Sequence, residues 1–347
     1  MRRTMRILGL SLAAAAALAQ GTVTAEVSTP LVPFQGAGGH WRLIYELHLT
    51  NGAASTQTVT KVEVLGEDGP IDSVEGKTLA SLMARKGKKG DEARTLALGE
   101  EAVVFLDLLV EEQAPEELGH RVTLDGGAIV EAAPVRLRAA KPLVIGPPLS
   151  GTNWVAANGP GNRSDHRRAL MTVDGRAVIA QRFATDWVQA NGDSTFHGDR
   201  KDNRSYYAYG APALAVADAT VAAVRDGIPE NEPGENSRAV AMTRENATGN
   251  HVVLDLGGGN YCLYAHLQPG SLKVKAGEKV HRGQAIGLVG NSGNSDEPHL
   301  HFQVMDGPSP LGAEGLPYHI DAFEVLRGNA KGKKENALPM DGMVVRF

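Results

Sequence analysis

The segment Pro298-His299-Leu300-His301-Phe302 concentrates groups able to do chemistry. On an extended strand alternate side chains share a face, so His299 and His301 project together while Leu300 and Phe302 enter the opposite, apolar side. Two imidazoles spaced this way suit a division between metal ligation and proton transfer. A third, His266, stands in Tyr264-Ala265-His266-Leu267, and between the two runs lie Val274-Lys275-Ala276-Gly277-Glu278-Lys279-Val280 and Gly290-Asn291-Ser292-Gly293. Cys262 is the only cysteine, which rules out an intrachain disulfide and reads as a small buried apolar residue within Asn260–Tyr264. Gly287 to Gly293 superficially suggests a phosphate loop, but no Gly-Lys-Ser/Thr follows, so a tight turn is the better reading.

The elements that must hold these groups are strands. Aromatics make 5% of the 347 residues while 41 glycines and 18 prolines punctuate the chain, which favours short strands and turns over packed helices. From 26 to 145, alternating runs at Leu43–Leu49, Val59–Leu65, Ala102–Leu109 and Ala128–Leu137 are separated by Asn51-Gly52, Asp68-Gly69 and Asp125-Gly126, the pattern of an antiparallel β-sandwich. Arg85 to Arg94 reads as a solvated loop. A proline- and glycine-rich linker, 146–164, precedes a second β unit over 165–325, with strands expected at Ala169–Val173, Ala177–Trp187, Leu214–Val224, His251–Leu256, Tyr261–His266, Lys279–Val289 and His299–Met305. Residues 326–347 read as a loose tail. The fold class expected is all-β.

Residues 1–25 have a basic start, an apolar stretch from Ile7 to Ala19 and two small-x-small signals, Ala17-Leu18-Ala19 and Val23-Thr24-Ala25, the order of a cleaved signal peptide. The stretch is too short to anchor across a bilayer, so a periplasmic or secreted chain without stable membrane insertion is expected. The formal charge of −5 grows more negative once Arg2, Arg3 and Arg6 leave, which argues against a nucleic-acid partner.

From Gly249 to Phe302 the ordered set of a Tyr-x-His-Leu strand, a Val-x-x-Gly-x-x-Val hairpin, a Gly-Asn-Ser-Gly loop and Pro-His-Leu-His-Phe resembles the lysostaphin/LytM-type zinc metallopeptidases. The resemblance covers roughly 150–325. It implies the duplicated hybrid motif fold, one zinc ion, and a peptidoglycan or peptide substrate. It makes His301 a zinc ligand and gives His266 and His299 the proton and the developing oxyanion. The first half is matched only as an accessory β domain of some Gram-negative members.

The family's remaining two ligands come from one His-x-x-x-Asp strand. Asp186 resembles the aspartate, but Arg182 stands where the histidine should be and cannot bind a cation. His166 is the first replacement expected. A hairpin around Asp174-Gly175 would oppose it to Ala184, on the face of Asp186, if the loop holds three residues, and to Phe183, on the wrong face, if it holds two. His197, near Asp202, is the second. His40, His48, His120, His251, His281 and His319 read as structural or surface histidines, and Tyr206, Tyr207 and Tyr209 suit either a groove or packing of the insertion.

Two other readings compete with an exported zinc endopeptidase. Arg182 motivates a catalytically silent relative that binds peptidoglycan or regulates another hydrolase. The Val274–Val289 rhythm also resembles a lipoyl- or biotinyl-carrier hairpin, but no Met-Lys pair is present there.

Overall fold

The structure, a computed structural model, describes residues 23–110, 115–139 and 141–347. The expected leader lies outside the described residues up to 22. Among the described residues strand makes up 48% and helix 7%, an all-β fold, as expected.

Contacts divide the chain into two units: 23–26, 47–104 and 119–134 form the smaller, and 27–46, 105–118 and 135–347 the larger. In the smaller, Gln57–Gly66 pairs antiparallel with Gly69–Glu75 and with Gly119–Leu124, and Met83–Arg85 pairs with Ala102–Val104. Gly69 and Gly126 take positive φ at the expected turns. The charged run expected as a loop instead closes a short hairpin at Lys88–Lys89 and a 3-10 turn over Gly90–Arg94, which buries Ala93.

The larger unit is built on an eleven-stranded sheet. Its order runs Leu143–Ile145, Tyr318–Val325, Val344–Arg346, Trp154–Ala157, Thr185–Gln189, Leu300–Met305, Asn260–Leu267, Asn250–Gly257, Ala219–Arg225 and Lys279–Val280, with Gly332–Ala337 also on Tyr318–Val325. Leu143–Ile145 pairs parallel to Tyr318–Val325, and the other described neighbours in the sheet pair antiparallel. Trp154, Trp187, Tyr264, Leu300, Phe302 and Tyr318 fill the core on one face.

Three boundaries differ from the sequence expectations. The linker contributes Trp154–Ala157, because Trp154 and Ala156 alternate into the core. The tail is not loose: Gly332–Ala337 and Val344–Arg346 join the sheet, with Ala337, Leu338 and Val345 buried behind the lysines that made the run look solvated. Residues 27–46 belong with the larger unit, since Phe34, Ala37 and Ile44 pack into its core.

Candidate metal centre

Antiparallel pairing places Asp186 opposite His301, and directly opposed residues share a face. His301 Nδ1 lies 2.9 Å from Asp186 Oδ1. His299, two residues earlier and on the same face, brings Nε2 to 3.3 Å from that oxygen. His166 completes the cluster from the one-turn helix Asp165–Arg168, its Nε2 3.2 Å from Asp186 Oδ2. One ligand atom each from His166, Asp186 and His301 lies within 4.8 Å of the others.

His166 does not arrive by the expected hairpin. The loop holds two residues, Asp174 and Gly175, both at positive φ as a tight hairpin turn requires, with Val173 opposite Arg176. Pairing then stops at Val178, and the chain turns: the Arg182 N–H donates to the Ile179 carbonyl and the Ala184 N–H to that of Gln181. The expected Ala177–Trp187 strand is therefore two pieces, and His166 reaches Asp186 from a helix beyond the hairpin.

His266 joins by a different device. Ala265 opposes His301, so strict alternation would send His266 to the apolar face with Leu300. Its φ of 63° lies in the left-handed region and turns the imidazole back, to a ring separation of 4.8 Å from His299. Such a conformation in a non-glycine residue is held by its surroundings. Here Gly249 and Gly293 let two loops meet backbone to backbone: a Cβ on Gly293 would stand 2.3 Å from the Gly249 nitrogen.

Each imidazole is oriented by an acceptor on its outer nitrogen. His166 Nδ1 donates to the Asn158 carbonyl at 3.0 Å, His266 Nδ1 to Ser292 at 2.8 Å, and His299 Nδ1 to Glu297 at 2.8 Å. His301 Nε2 faces Gln303 Oε1 at 2.9 Å. A carbonyl only accepts, so each neutral ring carries its proton outward and turns a lone pair inward. In the neutral rings the lone pairs of His166, His299 and His301 thus face one buried carboxylate, with His266 beside them, a donor set that suits a cation. Two imidazoles and a carboxylate fit zinc, which takes nitrogen and oxygen ligands and leaves a fourth position open in catalytic sites.

Burial opposes charge throughout the cluster, and the carboxylate decides where it is overcome. For Asp186, desolvation pushes the pKa up, but His166 and His299 hold it well below the ordinary carboxylate range. Burial pushes His166 and His299 down, yet the charge and hydrogen bond of Asp186 lift both above normal. His266 is held well below normal by burial and by the neighbouring imidazoles. In His301 burial outweighs its bond to Asp186.

Arg182 points away from this cluster. Its Nε donates to Glu46 Oε2 at 3.1 Å, and its guanidinium pairs with Glu314. Glu46 also pairs with Arg167, which is fully buried beside His166 and donates to the Tyr45 and Leu106 carbonyls. His197 is exposed on the insertion, stacked on Tyr207, and does not approach Asp186. Tyr206 donates to the Arg200 carbonyl and Tyr209 to Glu230, so these side chains pack the insertion. His251 bonds Gly249 and Thr248, His319 accepts from the Gln35 N–H, and His281 is exposed.

Sequence reasoning missed Asn158 and Gln303. Asn158 donates to Asp186 Oδ2 at 3.0 Å and takes φ 49°, and nothing in its sequence surroundings marks it. Gln303 carried a signal, since alternation puts it on the face of His301. The cluster floors a groove of about 760 Å³ whose walls include Arg238, Thr243, Arg244 and Leu311, largely from the long insertion.

Residues 205–312 match Peptidase family M23, a span that takes in His266, His299 and His301 and stops short of His166 and Asp186. The chain is 40% identical over 88 residues to the peptidoglycan DD-endopeptidase ShyA of Vibrio cholerae, covering 25% of this chain and 20% of that protein. It is 30% identical over 113 residues to the cell division protein DipM of Caulobacter vibrioides, covering 32% and 15%. The chain thus spans about a fifth of the length of the curated relatives it matches. Among solved structures, a catalytic-domain mutant of the prophage-encoded M23 protein EnpA from Enterococcus faecalis is 20% identical, with a TM-score of 0.29, over 49% of this chain and 92% of that one.

Proposed function

We propose that this chain, with its M23-matching segment, is an exported zinc-dependent endopeptidase that hydrolyses peptide bonds in peptidoglycan stem peptides or cross-bridges. The observation that carries the reading is the convergence of His166, Asp186 and His301, with inward lone pairs, on the floor of an open groove. These three residues would hold one zinc ion. When bound, zinc supplies Lewis acidity at neutral pH, both to water and to a scissile carbonyl.

The rest of the work falls to the chain. Asp186, held anionic, balances the positive charge gathered in the site. His266, held neutral, presents Nε2 as a proton acceptor. His299, with Nε2 also turned into the site 3.3 Å from Asp186, would carry the proton to the leaving amine, so that the two imidazoles divide the base and acid tasks. The groove is within the usual size for a ligand site and admits an extended peptide. Export to the periplasm or beyond follows from the expected leader. Arg182, the motive for a silent relative, is used in an ion-pair cluster and leaves three ligand groups in place.

The purified mature chain should carry one zinc per molecule by elemental mass spectrometry and release peptide fragments from isolated sacculi. Chelation should stop release and added zinc restore it. A wild-type chain that released no more than its His301→Ala variant would falsify the enzymatic reading.

A further inference from the structure

We propose that Gln303 is a positioning residue for the cation site, holding the His301 proton on Nε2 so that the Nδ1 lone pair is turned toward Asp186 and His166. The inference rests on the zinc reading above. Gln303 is fully buried on the Leu300–Met305 strand, two residues from His301 and on its face.

Its amide has one sense only. Gln303 Nε2 donates to the Pro310 carbonyl at 2.9 Å and lies 3.4 Å from Met305 Sδ. Reversing the amide would set one carbonyl against another in a buried site, an unmade hydrogen bond with its full desolvation cost. Oε1 therefore faces His301 Nε2, 2.9 Å away, and can only accept. A neutral imidazole carries one proton, so Nδ1 is left bare. Without this acceptor the strongest alternative for the proton is the Asp186 carboxylate, 2.9 Å from Nδ1, where it would occupy the place a cation needs. A ligand imidazole whose second nitrogen donates to a fixed acceptor is oriented and made more basic by it.

The test uses the full mature chain with zinc as the probe. Zinc affinity is measured by competition with a chromophoric chelator, and nitrogen NMR on histidine-labelled, zinc-loaded protein reads which His301 nitrogen carries the proton. The wild type should show the proton on Nε2. Gln303→Met, near in volume but without an acceptor, should bind zinc roughly 10- to 100-fold more weakly. Gln303→Glu, which restores an acceptor oxygen, should bind more tightly than Gln303→Met. Wild-type affinity in Gln303→Met, no recovery in Gln303→Glu, or a wild-type proton on Nδ1 would each overturn the inference alone. If Gln303→Met does not fold, the wild-type spectrum still decides. A wild-type chain that binds no zinc would overturn the zinc reading and this inference together.

Discussion

His266 and His299 are neighbours, yet Asp186 lifts one imidazole and leaves the other to its burial. Neither belongs to the three groups proposed to hold the ion, so their removal should act on the reaction: His266→Ala and His299→Ala should each lower turnover on sacculi by about 10²- to 10⁴-fold while zinc content stays near one, measured on the same samples. His166 is different, being one of the three residues proposed to hold the ion. His166→Ala should lose zinc, and adding Arg182→His should not restore it, because position 182 faces Glu46 and Glu314. Recovery of zinc in that double variant would contradict the geometry. At this scale the sequence was readable where strand alternation governs, as with His299 and His301, and where an aspartate stands in a short motif, as with Asp186. His166 was named from its residue type, but its route depends on a turn at Ile179–Ala184 that no local pattern announces. The carbonyls of Asn158, Ser292 and Glu297 act through backbone, which residue identity does not encode, and the Asn158 side chain reaches Asp186 only by the fold.

One buried carboxylate ties several elements of the larger unit. Glu46, on the Trp41–Asn51 strand, pairs with Arg167 of the helix carrying His166 and with Arg182 of the turn before Asp186. Removing one partner of a buried ion pair leaves the others charged and uncompensated, so Glu46→Leu should cost about 3–5 kcal/mol, read from urea denaturation. A second test concerns the strand Tyr318–Val325. Burial pushes the His319 imidazole down to about 4 from its ordinary 6.5. The unfolded chain then binds the proton first, so stability is fully present above pH 6.5 and falls as pH drops from 6.5 toward 4. His319→Gln should flatten part of that loss, visible as a smaller shift in urea midpoint between pH 7 and 4. The strands themselves were legible from alternation, except where a single apolar run proved to be two pieces, as at Ala177–Trp187 and Lys279–Val289, because turns without glycine-pair signals interrupt it.

At the scale of the whole chain, the expected leader and the folded part overlap. Val23 and Ala25 are buried in a strand paired with Leu49–Asn51, so cleavage after Ala25 would remove a strand of the smaller unit. Cleavage after Ala19 would leave that strand intact, so if the proposed export removes a leader the mature chain should begin at Gln20, which intact-mass measurement would show. Among the described residues no helix is long and apolar enough to cross a membrane. The all-β class was legible from composition and turn spacing. The division into units was not, because 27–46 joins the larger unit through Phe34 and Ile44, contacts distant in sequence that a run of alternating residues does not disclose.

The left-handed backbone at His266 opens a route to chemical complementation. Glycine is at ease at that φ, so His266→Gly should relax the local backbone while leaving a vacancy shaped like the lost ring. Free imidazole added to the buffer would then restore part of the hydrolysis, an outcome that an alanine at a strained position is less suited to give.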